Sequence, residues 1–302
     1  MKIFFFILFV ISIANVSLYA QKAFPGAQGW GKNASGGRGG KVVYVTNTNS
    51  NGTGSLRWAC EGVTGPRMIL FKTGGIIQLN NDIDITDGDV TIAGQTAPGD
   101  GITIKGSGIV VRDDNVIIRG LRIRPGDGKG QAPNERRCIS IMNNGRIIRN
   151  VVVDHNSLTW STDENITTWY QAQNVTISNN IIAEGLMNSI HPEKPHSMGS
   201  LLGPHTKNIT QYRNLFAHNN RRNPRSTAEN VEIINNYMYN FKSGTLITVS
   251  THVDNDTTST HLINNYYDSP MNNADNTPVY KHEDGELYMS GNLSYQMNPD
   301  GS

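Results

Sequence analysis

Asn174-Val-Thr-Ile-Ser-Asn-Asn180-Ile181 is an apolar-polar alternation closed by an asparagine, and the phrase keeps returning. Asn208-Ile-Thr-Gln-Tyr-Arg-Asn214-Leu, Asn230-Val-Glu-Ile-Ile-Asn-Asn236-Tyr and Thr260-His-Leu-Ile-Asn-Asn265-Tyr repeat it downstream. Asn150-Val-Val-Val-Asp-His-Asn156-Ser and Asn115-Val-Ile-Ile-Arg-Gly120-Leu precede it. The closing positions fall roughly 22 to 36 residues apart, the range that marks stacked repeats. Alternation of period two over β-branched residues reads as strand. Few two-residue hairpin turns join these strands, which argues against a meander or a sandwich. A parallel β-helix fits: each coil supplies short strands, and like residues stack from coil to coil. An asparagine that recurs at one phase is then a hydrogen-bonded ladder along the helix axis, as stacked amide side chains make elsewhere.

Working outward, Met68–Thr73, Val90–Ala93, Ile102–Lys105, Ile109–Arg112, Val116–Ile123 and Ile147–Val153 read as further strands, and Lys41–Thr46 as the first. Ser55 to Glu61 is expected to form a short helix with Ser55 as N-cap and Gly62 just past its end. Such a helix would cover the open face of the first coil. Gly36-Gly-Arg-Gly-Gly40 has no phosphate-loop lysine and reads as a tight lead-in to the first strand. The fold class is all-β: a right-handed, single-stranded parallel β-helix with a short N-terminal capping helix.

No low-complexity linker interrupts the repeat, so residues 21–302 form one domain behind residues 1–20. In that leader Lys2 precedes an apolar run from Ile3 to Ala14, and Ala20 is a small residue at the expected cut, the pattern of a secretory signal. The apolar run is too short to span a bilayer comfortably. We expect a secreted protein, extracellular or periplasmic, free of the membrane after signal removal, and monomeric. The formal net charge of +1 provides no global field for nucleic acid, so an acidic partner must be held by a local cluster. The two cysteines, Cys60 and Cys138, lie in distant coils and read as buried free thiols. Asn165-Ile-Thr and Asn174-Val-Thr match the glycosylation triplet, but threonine-rich strands beside an asparagine ladder create it by chance.

Three clusters can carry chemistry. The first is Asp154-His155-Asn156 with Trp160-Ser-Thr-Asp163-Glu164; the second is Lys194-Pro-His196-Ser-Met-Gly199; the third is Arg221-Arg222-Asn223-Pro224-Arg225. Asp163 and Glu164 offer carboxylates of the kind calcium needs, though an Asp-Glu pair also makes an ordinary solvated turn. The arginines suit a carboxylate-bearing polymer through bidentate contacts, though they also suit a plain surface patch. Trp160 and Trp169 can stack on sugar rings or pack between turns.

Ala23-Phe-Pro-Gly-Ala-Gln-Gly-Trp-Gly31, Gly36 to Val45, Gly54-Ser-Leu-Arg-Trp-Ala59, Ile92 to Gly101, Arg124-Pro-Gly-Asp127, Asp154-His155, Trp160 to Glu164 and Arg222-Asn-Pro-Arg225 together resemble the pectate lyase superfamily, polysaccharide lyase family one, in its secreted bacterial branch. They cover roughly residues 23 to 226 in the family's order. The resemblance implies β-elimination on de-esterified homogalacturonan, an acidic plant cell-wall polysaccharide (polygalacturonate), with Ca2+ as cofactor. It assigns Arg222 as the base, Arg225, Lys194 and His196 as substrate contacts, and Asp163 and Glu164 as metal ligands. It makes Asp154-His155 structural. Two departures stand out. Where the family carries a further calcium aspartate, this chain has Arg136 or Arg137, with Glu135 nearby, so either an arginine can stand in for the cation or Glu135 can reach the ion instead. The family's Lys-Gly-x-His-Gly phrase becomes Lys194-Pro-His196-Ser-Met-Gly199. A calcium-independent lyase on methylated pectin, a hydrolase using Asp154 and Asp163, and a non-catalytic β-helix that binds acidic glycans are the other readings.

Overall fold

A computed structural model describes residues 21–193, 195, 196, 198–249, 258–271, 278–282 and 284–294. The leader, Lys194 and the chain's last residues lie outside the described residues. Within them the chain winds as a coil of short strands that build three wholly parallel sheets, of ten, nine and eight strands. Successive coils contribute one strand to each. In one coil Val116–Arg119 joins the first sheet, Arg122–Arg124 the second and Ile139–Met142 the third. The next coil repeats this with Ile148–Asp154, Ser157–Thr159 and Glu164–Trp169. The expected strand Val116–Ile123 is therefore two strands, bent at Gly120, whose φ of 71° is the left-handed conformation.

The interior is made by like residues in register. Val90, Val116, Val151, Val175, Ile209 and Val231 pair in sequence across the first sheet and are each almost wholly buried. A parallel sheet buried on its inner face requires such a β-branched row. Each fully buried Val or Ile contributes about 1.5–3 kcal/mol of burial energy.

Both ends of the repeated phrase now have a physical cause. The opening asparagines Asn115, Asn150, Asn174, Asn208 and Asn230 all have φ between 54° and 62°. Asparagine tolerates that left-handed region better than other L-residues, so it turns the chain into the first sheet. The residue before each closing asparagine, such as Asn179, Arg213 or Asn235, is left-handed again and turns the chain toward the second sheet. The closing asparagines Asn156, Asn180, Asn214, Asn236, Asn265 and Asn292 form the expected ladder, with Nδ2 of each donating to Oδ1 of the next at 2.9–3.2 Å. The opening asparagines form a second, looser ladder that was not foreseen, at 2.6–3.4 Å. Asn165 is fully buried and Asn174 belongs to that second ladder, so neither presents a free glycan acceptor.

Asn214 shows what one rung contributes. Its Nδ2 donates to the Ile177 carbonyl at 2.9 Å and to Asn236 Oδ1 at 3.0 Å. Its Oδ1 accepts from the Asn180 amide at 3.0 Å and from Asn180 Nδ2 at 3.1 Å. Asn214→Ala removes all four bonds; the Ile177 carbonyl and the Asn180 amide lose this partner, while Asn180 Nδ2 keeps the Val153 carbonyl and Asn236 Oδ1 keeps the backbone amide at position 214. We expect a loss on the order of 3 kcal/mol in urea unfolding. A change below about 0.5 kcal/mol would mean that the ladder is geometrically present but energetically idle.

The short helix differs from its sequence reading. Ser55 Oγ does accept the Trp58 amide at 3.1 Å. Leu56 and Arg57 open the segment with α geometry, Trp58–Gly62 continues it with π geometry, and Gly62 lies inside it. Leu56, Ala59 and Cys60 join the main core. The glycine-rich lead-in lies against the first sheet, where a side chain at Gly37 would fall 1.8 Å from the Arg67 carbonyl. Arg67 itself is fully buried. Cys60 and Cys138 are buried free thiols, as expected, and burial pushes Cys60 up to about 12. Among the described residues no helix is long and apolar enough to cross a membrane.

Candidate active site

The third sheet forms the floor of a cleft of about 530 Å³. Its register explains why residues far apart in sequence meet there. Ile139 pairs with Ile166, and the same register carried two residues back sets Arg137 beside Glu164. Glu164 pairs with Met198, which bridges to Arg221 one coil further on. Thr167, Leu201 and Arg225 align across three coils. Arg137, Asp163, Glu164, His196, Arg222 and Arg225 all line the cleft.

The chain around Arg222 is tightly held. Arg222 has φ 59°, and the following Asn223–Pro224 peptide is cis. The Arg222 carbonyl accepts from the Ser200 amide at 2.7 Å, and the Arg221 carbonyl accepts from Gly199 at 3.0 Å. Asn223 Nδ2 donates to the Ser243 carbonyl at 3.0 Å, and Asn223 Oδ1 accepts from Asn219 Nδ2 at 3.1 Å. A side chain at Gly199 would fall 2.7 Å from the Arg222 carbonyl, so glycine there lets the two turns approach. A left-handed arginine is costly and persists only where its surroundings fix it, as they do here.

Every carboxylate oxygen of the acidic pair is taken. Asp163 Oδ1 faces His196 Nε2 at 3.0 Å, and Asp163 Oδ2 pairs with Arg137. Glu164 Oε2 accepts from Arg137 Nε at 2.9 Å, and Glu164 Oε1 pairs with Arg222. The third Arg137 nitrogen, Nη1, reaches Glu135 at 3.0 Å. Burial alone would raise the Asp163 carboxyl. The hydrogen bond with His196 and the charges of Arg137 and Arg222 outweigh it and hold Asp163 below the usual carboxylate range. Burial brings Arg222 down to about 10; the Asp163 charge opposes this, and the cations Arg225 and Arg137 add to it. Burial also lowers Arg225, whose Nε donates to Thr248 Oγ1 at 3.0 Å.

The question left between Arg136 and Arg137 is resolved by these contacts. Arg136 is buried and donates to the Gly126 and Gly128 carbonyls, each at 2.8 Å, so it anchors the loop beside the cleft. Arg137 is the residue that faces the acids. His155 does not line the cleft and sits 2.6 Å from Asp154 Oδ2. Asp154 is fully buried and also accepts from Arg119, Ser178 and Asn179, a structural arrangement. Trp169 lines the cleft, whereas Trp160 is exposed with Nε1 donating to Glu184 at 2.8 Å. Lys194 lies outside the described residues. His191, not singled out in the sequence, is buried in the cleft with its ring stacked on His196 at 3.8 Å.

No family model matches the chain. A protein named probable pectate lyase C from Aspergillus fumigatus is 37% identical over 238 residues, which cover 78% of this chain and 52% of that protein. Its namesake from Aspergillus oryzae is 36% identical over 282 residues, 93% of this chain and 62% of that protein. The chain thus spans about half to three-fifths of the length of these curated relatives. Among solved structures, a pectate lyase from Bacillus sp. N165 in complex with trigalacturonate superposes with a TM-score of 0.65 at 19% identity, over 89% of this chain and 87% of that one. Pectate lyase II from Xanthomonas campestris gives 0.58 at 19% identity, over 91% and 85%. At these identities the solved structures speak for the parallel β-helix.

Proposed function

Because this chain belongs to the pectate lyase superfamily, we propose that it is a secreted, monomeric lyase that cleaves de-esterified homogalacturonan by β-elimination, with Arg222 as base. The cleft's arginines favour a polymer whose carboxyls are free. Export is supported by the Lys2, apolar-run and Ala20 pattern of the leader.

Arg222 must be neutral to accept a proton, and free arginine almost never is. Burial and the neighbouring cations lower Arg222 to about 10, which brings its neutral form closer to reach than in free arginine. Binding a uronate beside Arg225 and Arg137 spreads the substrate's negative charge and acidifies the proton on the carbon next to its carboxylate. Arg222 takes that proton. The electron pair left behind becomes the carbon-carbon double bond, the bond to the glycosidic oxygen breaks, and that oxygen leaves with a proton from water. The product has an unsaturated uronate end.

Calcium, which the resemblance implies, wants six to eight oxygen ligands. Each of the four oxygens of Asp163 and Glu164 already pairs with Arg137, Arg222 or His196, and the Arg137 guanidinium fills the place between the two carboxylates that a shared ion would need. The pair as arranged does not fit a resident calcium ion. The Arg137 guanidinium lies where it bridges both acids, and it supplies the positive charge. This complete occupation of the acidic pair is the observation that carries the calcium-independent reading.

Ultraviolet absorbance on polygalacturonate tests it. We expect unsaturated product to accumulate at similar rates with added calcium and with a chelator. Absorbance that rises only with calcium would mean that Arg137 yields its place to the ion. No absorbance on polygalacturonate or on methylated pectin would favour a binding protein, and saturated product ends would favour hydrolysis.

A further inference from the structure

We infer that the cleft selects a uronan in which the cleaved residue is free and its neighbour is methyl-esterified, with Arg225 holding the free carboxylate and Leu201 and Trp169 receiving the uncharged neighbour. The inference rests on the lyase reading for its polymer and goes beyond it in naming the neighbour's chemistry. The cleaved residue keeps its free carboxyl, and fully de-esterified polymer still enters, less well.

Charge along the cleft is unevenly met. Four carboxylates line it, those of Glu135, Asp163, Glu164 and Glu193. Arg137 already meets the first three, and Arg222 meets Glu164. Among the described residues, Arg225 is the cleft arginine with no carboxylate partner, and its Nε donates to Thr248 Oγ1. The cleft therefore holds one ready anchor, for one substrate carboxylate.

From that anchor toward the earlier coils the floor turns apolar. Leu201 pairs with Arg225 one coil back, and Thr167 pairs with Leu201 a further coil back. Trp169 stands two residues along from Thr167 and pairs with Met142. A side chain at Gly203 would fall 2.2 Å from Trp169 Cε3, so glycine there lets the indole lie across toward the coil of Leu201. Tyr170 packs edge-on against the indole, with 5.6 Å between ring centres. Neighbouring coils stand about 4.8 Å apart, so a sugar laid on Leu201 and the indole is next in line to the one at Arg225.

The same coils supply the uncompensated acids. Glu135 comes from the loop before Ile139–Met142, and Glu193 from the loop before Met198–Leu202. Their side chains are 51% and 82% exposed, so both look into the open cleft. A second carboxylate on this side would meet an apolar floor and two like charges. A methyl ester removes that charge and sets a methyl group on the floor. Repulsion of the wrong group and apolar contact with the right one act in the same direction.

Titration calorimetry on Arg222→Ala, in which turnover is removed, tests the inference with three probes: de-esterified trigalacturonate, and the same trimer methyl-esterified at one end residue or at the other. We expect one of the esterified trimers to bind at least about tenfold more tightly than the de-esterified one. In the same background Trp169→Ala should remove most of that preference, with circular dichroism as a check on folding. Glu193→Gln, at an exposed side chain, should narrow it by improving the de-esterified trimer. Equal or weaker binding of both esterified trimers, no binding of any trimer at millimolar concentration, or an unchanged preference in folded variants would overturn the inference. The parent protein reports on the lyase reading separately: a preferred trimer that binds and yields no unsaturated product would refute that reading and leave the preference standing.

Discussion

Arg222→Ala is expected to lower turnover at least about a hundredfold, the scale of losing a positioned acid-base group. The fold should survive, because the turn that carries Arg222 is held by backbone contacts to Gly199 and Ser200 and by the Asn223 side chain. Glu164 keeps Arg137 as a partner, so no carboxylate is left buried without a cation. Arg222→Lys separates charge from base. It restores a positive group in the cleft, yet an ammonium has neither the planar fork that reaches Glu164 nor the neighbourly geometry of the guanidinium. We expect it to be nearly as impaired in kcat as the alanine variant, with KM changed far less. Initial rates of unsaturated product formation decide the matter. Near-normal kcat in either variant would remove Arg222 from the role of base.

Arg67→Met is expected to produce the largest loss of stability. The Arg67 guanidinium is fully buried and donates to five carbonyls, those of Ala59, Cys60, Gly65, Asp87 and Gly88. It ties the π-turn, the loop before the second strand of the first sheet and the next coil into one knot. Methionine fills part of the volume and satisfies none of the carbonyls. Unsatisfied buried acceptors cost about 1–3 kcal/mol each before relaxation. Water entering from the Gly65 side would recover part of that. A net loss of about 4 kcal/mol, and a melting temperature lower by roughly 7 °C, is the expected result. Differential scanning calorimetry of the two proteins measures it. A melting temperature within about 2 °C of the parent would show that Arg67 is dispensable.

The fold was legible because its cause is periodic. Alternating β-branched residues and an asparagine at fixed phase, as at Asn180, Asn214 and Asn236, can satisfy their amides only by stacking. The corners were half legible: Asn174 and Asn208 opened the quoted phrases, but their left-handed φ and their own ladder are backbone facts that composition does not display. The helix at Ser55 carried a sound N-cap signal, but the π geometry of Trp58–Gly62, which takes Gly62 inside the segment, has no counterpart in propensity or pattern. In the site, Asp163, Glu164, Arg222, Arg225 and His196 were named in advance and do line one cleft. The grip of Arg137 on both acids depends on register between neighbouring coils, which sequence spacing alone does not state. His191 escaped notice for the same reason: only the fold back onto His196 makes it more than one histidine in a loop.

The closing-asparagine ladder also governs how this molecule can change over evolutionary time. Its rungs are 24, 34, 22, 29 and 27 residues apart in sequence, yet the hydrogen bonds between them are nearly equal in length. The surplus residues of the longest interval, between Asn180 and Asn214, are looped out after the second sheet, in the segment that carries His191 and His196 into the cleft. The scaffold thus separates what must stay constant from what is free to vary. Insertions at that corner reshape the wall facing the substrate while every rung stays in step, so specificity can drift by loop exchange without renegotiating the core.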